Sequence, residues 1–359
     1  MGRTWRAGII GAGAIAIHGH IPGYKAVPGV EVVSLCDVNA ARVASVAAEN
    51  GIARTYTDYR EMLDKERLDL LSVCSPNAFH ADMAVAGLES GANVLCEKPM
   101  ALTYADACRM VATSERTGKS LTIGFHNRYR PEMRAGYEVV ASGKLGELYY
   151  AKASMLRRSG IPGYGSWFTN KDLAGGGSMM DIGCHILDLA LWWIGHPQPL
   201  TVSASTYAKF GPKAKGLGSW GMDHYPAGAR YDVDDLATIF VRFEGGATLT
   251  LEASWAGHGT DGQRLQVFGT EGGVEYAEGL FGDKPLRFFG EGGASLIQGT
   301  INYGTAQGSP YQREIADWLG RIEKGEPAFI TATQAAMVVQ IVEAAYRSSA
   351  SGHEVSLVK

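Results

Sequence analysis

The sequence predicts two folds in one chain. An α/β domain with a doubly wound parallel sheet is expected over residues 1–126, followed by an α+β domain with an open-faced, mainly antiparallel sheet over residues 127–359. Three observations predict this. Short apolar runs alternate with helix-period segments through the first third; after about His126 the runs are separated by turn residues instead; and 359 residues suit two domains of roughly 150 each. Hydrophobic residues make up 46% and charged residues 19%, with a net charge of −4. That excludes a disordered chain and gives no bulk charge favouring nucleic acid or an acidic membrane surface.

The first domain opens with a strand over 5–10, a glycine turn, and a helix to about Ala26. A strand rich in β-branched residues covers 30–36, and a helix over 40–50 is stopped by Gly51. Next come a buried strand over 68–74, a helix over 78–90 ended by Gly91, and a strand over 93–96. A helix over 104–117 stopped by Gly118 leads to a last strand over 121–125. Apolar strands separated by helices imply a parallel sheet covered on both faces, and right-handed crossovers make the doubly wound topology the economical one. In the second domain a helix near 131–142 leads into a strand-like stretch over 147–157, and residues 178–194 are helical. Strands with turn punctuation follow from Thr201 to about Phe289, with Glu244-Gly245-Gly246 as a hairpin signal between 236–243 and 247–255. Helices return over 314–324 and 332–349. The apolar residues of 236–240 and 249–251 predict a sheet face that needs cover, hence a homodimer or homotetramer.

No uncharged apolar run reaches the ~20 residues of a membrane span. Cys36, Cys74, Cys96, Cys108 and Cys184 are an odd set with no CxxC pair, mostly in apolar runs; they read as small buried hydrophobes in a reducing compartment. Residues 1–17 have the basic start and apolar stretch of a short signal peptide. However, His18 and His20 stand where a small-residue cleavage site would fall, and Arg3 and Arg6 are not a twin-arginine pair. A cytoplasmic protein is expected.

Three motifs carry chemistry. Gly11-Ala12-Gly13-Ala14-Ile15-Ala16 lies between a strand and a helix. Gly11 permits the tight turn, Gly13 lets the backbone approach a pyrophosphate, Ala14 and Ile15 open the helix, and Ala16 allows close packing. Asp37 ends the next strand, at the spacing of an acid that binds the ribose hydroxyls and repels a 2′-phosphate. The expected cofactor is NAD rather than NADP, with Arg42 the residue that speaks against it. Ser75-Pro76-Asn77 and Glu97-Lys98-Pro99 each follow a parallel strand, where open α/β sheets bind ligands. Lys98 there fits a donor to a reacting oxygen, and Glu97-Lys98 equally fits an exposed ion pair. The third motif runs from Gly175 to Asp188. On a regular helix Asp181, His185 and Asp188 fall within roughly 60° of arc. An imidazole beside a carboxylate can act as general base toward an alcohol. Ser178-x-x-Asp181 fits a capping box as well, so both readings stand on spacing. No metal site is assigned.

Together these motifs resemble the glucose–fructose oxidoreductase, inositol dehydrogenase and rhizopine-catabolism (Gfo/Idh/MocA) family, over about residues 6–357. The resemblance implies an N-terminal Rossmann domain, a C-terminal open-faced sheet often used for oligomerisation, Lys98 as catalytic lysine, and Asp181 with His185 as the substrate-side pair. It places Gly11, Gly13, Ala14, Ile15, Asp37, Ser75, Pro76, Asn77, Glu97 and Lys98 at the cofactor. His80 matches a family histidine and equally fits a helix cap. Phe125-His126-Asn127-Arg128 departs from the more frequent arginine-rich version, which leaves cofactor contacts by Asn127 and Arg128 in doubt. The implied activity is NAD-dependent oxidation of a ring hydroxyl of a sugar, sugar derivative or cyclitol. The rivals are a glycoside hydrolase that keeps NAD and oxidises transiently, and a non-catalytic sugar- or dinucleotide-sensing relative. The glycine-rich loops 210–229 and 257–262, with Trp220, Asp223, His224 and His258, suit either a sugar or a neighbouring subunit.

Overall fold

The computed structural model describes residues 4–220, 229–278 and 285–358; Asp223 and His224 lie outside them. The chain divides into two compact units. One comprises the chain up to Tyr129 together with Gln307–Val339, and the other Arg130–Ala306 with the chain from Gln340 onward. The segment 307–339, placed by sequence on the far side of a break at residue 126, therefore packs with the parallel sheet. Its helix Pro310–Lys324 delivers Ile315, Trp318 and Leu319 to the same core as Trp5, Ile9, Leu35 and Leu70. The Trp318 indole also donates to Ser120 Oγ at 2.9 Å.

In the first unit, strands β1 (Trp5–Ile10), β2 (Val30–Cys36), β3 (Arg54–Tyr56), β4 (Leu70–Val73), β5 (Asn93–Cys96) and β6 (Leu121–Ile123) form one sheet in the order β3-β2-β1-β4-β5-β6. Every neighbouring pair is parallel. This is the dinucleotide-binding order, whose direction reverses between β1 and β4 and so opens a crevice at their C-terminal ends. Gly51 and Gly118 close their helices with left-handed φ, as the sequence predicts, and at the other ends Asn39 and Thr103 accept from Arg42 N and Asp106 N. Two elements lie outside the sequence pattern, β3 and the helix Tyr59–Lys65. The three residues of β3 sit at the sheet edge, largely exposed, and offer no apolar run for a pattern to detect.

The second unit is built on β7 (Leu148–Leu156), β8 (Pro199–Tyr207), β9 (Leu236–Phe243), β10 (Thr248–Ser254), β11 (Gly262–Gly269), β12 (Gly272–Ala277), β13 (Leu286–Gly292), β14 (Ser295–Thr300) and β15 (Val355–Ser356). They form one sheet in the order β14-β13-β12-β11-β7-β10-β9-β8-β15, antiparallel except for the pair β7–β10. Gly245 and Gly246, with φ of 82° and 89°, make the expected β9–β10 hairpin turn. Alternation puts Ala237, Ile239, Val241, Leu249 and Leu251 on the covered face, against the helix side. The outer face instead carries Thr238, Arg242, Thr250 and Glu252, with Phe240 and a stacked Tyr150–Phe268 pair at 5.3 Å. The apolar residues read as needing cover are thus already covered, and the outer face is mixed. The covering helices are Pro131–Ala141 and Cys184–Trp193, joined where Trp193 Nε1 donates to Met133 O at 3.1 Å. Among the described residues no helix is long and apolar enough to cross a membrane.

Candidate active site

In the first unit the glycine loop meets β4. Gly11 has φ 97°, and a Cβ there would lie 2.5 Å from the Cys74 carbonyl oxygen, so only glycine fits. At Gly13 a Cβ would meet nothing within 4 Å, which leaves open approach beside the helix start that follows. That start, Ala16–His20, is a wide π-helical turn before the helix Ile21–Lys25. Asp37 Oδ2 accepts from Ala12 N at 2.8 Å and Oδ1 from Asn39 N at 2.9 Å, which fixes the carboxylate beside the loop. The open cradle at Gly13, a helix start whose first N–H groups have no partner within the helix, and an anchored acid at the end of β2 together fit a dinucleotide.

The two strand-end motifs are tied by a residue the spacing left ambiguous. His80 makes no helix cap; it is buried with Nδ1 2.7 Å from Pro99 O and Nε2 2.9 Å from Ser75 O. Burial lowers its pKa, against the opposing pull of those two carbonyls. Lys98 N donates to Glu97 Oε2 at 3.2 Å, and Glu97 is buried rather than forming an exposed surface pair. Arg128 is also fully buried, with Nη1 donating to Gln334 Oε1 at 2.9 Å.

His126 stacks on Tyr311 at 4.1 Å, and burial pushes its pKa down to about 4 despite the pull of Glu97. An unfolded imidazole takes its proton near pH ~6.5. The unfolded chain therefore protonates first, and this site's contribution to stability is lost as pH falls from ~6.5 to about 4. Replacing His126 with Phe should keep the stack and remove the titration. Denaturant unfolding at pH 7 and pH 5 should show a smaller loss in His126→Phe than in wild type, by about 2 kcal/mol.

In the second unit, the triple glycine is explained position by position. Gly175 closes the helix Lys171–Ala174 with φ 81°. A Cβ at Gly176 would lie 2.0 Å from the Tyr346 hydroxyl, and one at Gly177 would lie 1.8 Å from Asp234 O. The capping-box reading of Ser178 and Asp181 does not hold. Ser178 O–H donates to Asp234 Oδ2 at 2.7 Å, and Asp181 N donates to Gly177 O at 2.9 Å. The cap comes from Asp234, which also accepts from Gly177 N at 2.7 Å, Met179 N at 3.0 Å and the Tyr346 hydroxyl at 2.7 Å. Asp181 is thereby released from capping, and Trp255 Nε1 donates to its Oδ2 at 2.9 Å. Trp255 is fully buried.

Residues Met179–Gly183 form a second π-helical turn, so Asp181 and His185 do not share one regular α-helix. Asp188 lies fully buried, and His185 keeps a little exposed surface. Neither Asp234 nor Trp255 carried a signal in the sequence, since both belong to strands and loops more than fifty residues downstream. Asp235 points the other way: its Oδ2 accepts from Lys209, Phe210 and Gly211 N. The described part of loop 210–229 packs on its own chain, with Gly163 N donating to Trp220 O and Gly218 N to Ile161 O. His258 lies edge-on to Phe210 at 5.1 Å.

A family model described as oxidoreductase family, NAD-binding Rossmann fold, matches residues 5–125, and the GFO/IDH/MocA C-terminal domain matches residues 133–275. The chain is 35% identical to D-glucoside 3-dehydrogenase of Escherichia coli, over 98% of this chain and 97% of that protein. It is 24% identical to D-apiose dehydrogenase of Paraburkholderia graminis, over 99% and 90%. The structure of levoglucosan dehydrogenase in complex with NADH superposes with a TM-score of 0.85 at 21% identity, covering 99% and 100%, which shows the shared fold. The chain belongs to the Gfo/Idh/MocA family of NAD-binding oxidoreductases.

The buried Asp234 carboxylate should be the stability linchpin of the helix start. Asp234→Ala removes the acceptor of Gly177 N, Met179 N and the Tyr346 hydroxyl, while the Ser178 hydroxyl keeps the Ala253 carbonyl at 3.2 Å. It should cost at least about 3 kcal/mol in urea unfolding at pH 7, where a loss below about 1 kcal/mol would mean that these bonds are readily replaced.

Proposed function

We propose that the protein is an NAD-dependent dehydrogenase that oxidises a secondary ring hydroxyl of a pyranoside or related cyclic polyol. The observation that carries this reading is the 35% identity to a D-glucoside 3-dehydrogenase across 98% of the chain. When bound, NAD supplies the hydride acceptor at nicotinamide C4. His185, as the neutral imidazole, accepts the proton of the hydroxyl being oxidised. Lys98 donates a hydrogen bond to that oxygen as negative charge grows on it. Asp181, held by the Trp255 indole, orients the sugar. Ser75, Pro76, Asn77 and Glu97 shape the nicotinamide side, while Gly13, Ala14 and Ile15 hold the phosphates. The aromatic residues of the outer sheet face, Phe240, Tyr150 and Phe268, support assembly as a homodimer or homotetramer.

The test is NADH formation with methyl glucosides, levoglucosan, 1,5-anhydroglucitol and inositols. Pyranosides should reduce NAD and yield a ring ketone visible by NMR, at C3 for glucosides. Lys98→Ala and His185→Asn should each lower kcat at least about 100-fold with NADH binding nearly intact. No NADH from any of these compounds would favour instead a hydrolase that returns its hydride, or a sensor.

Cofactor choice has its own test. The carboxylate of Asp37, anchored by two backbone N–H groups, should repel a 2′-phosphate. NAD should exceed NADP in kcat/KM by well over about tenfold, and Asp37→Ala should narrow the ratio. Equal efficiencies in the wild type would remove Asp37 from the ribose site.

A further inference from the structure

We propose that His20 is a positioning residue for Lys98, acting through Glu97; this rests on the role given to Lys98 above. The side chain of Glu97 turns inward from the end of β5, and its Oε1 lies 2.9 Å from His20 Nε2. Its Oε2 accepts from the backbone of Lys98. Gly124 leaves the room: a Cβ there would lie 2.9 Å from Glu97 Oε1. Behind His20 the chain continues, with Nδ1 2.8 Å from Ser72 Oγ and Ser72 Oγ 2.8 Å from the Tyr24 hydroxyl. All four side chains are buried.

In the proposed arrangement the Tyr24 phenol, pushed well up by burial and so protonated, donates to Ser72 Oγ. Ser72 then donates its only proton to His20 Nδ1, which leaves the ring proton on Nε2, aimed at Glu97. An acceptor at that point is a carboxylate. Burial alone would push the Glu97 carboxyl up, but the hydrogen bond from His20 and the nearby Lys98 charge act against it, and the net direction is down. The thiols flanking it, Cys74 and Cys96, are both pushed up by burial and stay neutral. The fixed negative charge beside Lys98 is therefore that of Glu97, and it favours the ammonium form that donates to the developing oxyanion. His20 ends the π-helical turn that begins three residues after Gly13. It thus links the phosphate loop to the lysine.

The wild-type protein with NAD bound gives the first reading. Nitrogen-15 NMR of His20 at pH 7 should show Nε2 protonated and Nδ1 bare, and the opposite tautomer overturns the proposal. Infrared spectra should show no protonated Glu97 in wild type, a new carboxylic-acid band in His20→Phe, and its loss in His20→Phe with Glu97→Gln. An ionised Glu97 in His20→Phe also overturns it. With the panel sugar that reduces NAD fastest, His20→Phe should lower kcat at least 30-fold, but less than twofold further when Lys98→Ala is already present. His20→Gln, which keeps a donor for Glu97, should recover to within about fivefold of wild type. Equal losses on both backgrounds would mean a packing role only. A Lys98→Ala enzyme with full kcat would sink the catalytic reading instead, while the NMR and infrared results would still judge the His20–Glu97 bond.

Discussion

Four donors converge on the Asp234 carboxylate: two backbone N–H groups of the turn 177–179, the Ser178 hydroxyl and the Tyr346 hydroxyl. A negative charge at a helix start is favourable on two counts. It satisfies N–H groups that have no partner within the helix, and it opposes the helix dipole. Because Asp234 does this from the distant loop that precedes β9, the capping requirement is met without the helix's own acids. Asp181 is left with its carboxylate for the Trp255 indole. The same stretch fixes the loop on its other side, since the adjacent Asp235 collects three backbone N–H groups of 209–211. Two neighbouring carboxylates thus hold the helix start and a long loop from opposite sides.

The first unit repeats the device with different chemistry. Glu97 is buried, accepts from a histidine and from the backbone, and stands next to the residue assigned to the reacting oxygen. A buried carboxylate is costly unless its oxygens are met by donors. Here the donors come from the turn after the glycine loop and from the carboxylate's own neighbour. In both units a buried carboxylate beside the proposed chemistry is held in place by donors that meet its oxygens.

The order of the elements was legible because burial on both faces forces long apolar runs. Strands β2, β4 and β5 stand out for that reason, whereas β3, an exposed three-residue edge, does not. The glycine loop and Asp37 were legible because their task constrains the backbone directly: at Gly11 a side chain would strike the Cys74 carbonyl. Residues whose task depends on contacts far along the chain were not. Asp234 and Trp255 sit in ordinary strand-and-loop sequence, and only folding brings them to Ser178 and Asp181. For the same reason the helix Pro310–Lys324 read as part of the second domain, although Ile315 and Trp318 belong to the core of the first.

The capping box shows why spacing misleads at this site. Ser178 and Asp181 have the right separation, and the helix does begin there, yet neither side chain caps it. A stronger acceptor, an ionised carboxylate with room for several donors, outcompetes a neutral hydroxyl for the same N–H groups. Once Asp234 is in place, Ser178 becomes a donor to it and the helix start loosens into an i→i+5 turn. Such turns are rare alone and persist where packing imposes them. At Gly183 the spot a Cβ would occupy is taken by Met179 Sδ, 2.7 Å away, and Ala253 Cβ, 3.2 Å away, so the turn is pressed against β10. An arc computed at a uniform 3.6 residues per turn groups Asp181, His185 and Asp188. The wider turn sets Asp181 apart from His185 and Asp188, which still share the helix Cys184–Trp193; Asp188 there is fully buried, whereas His185 keeps some exposed surface.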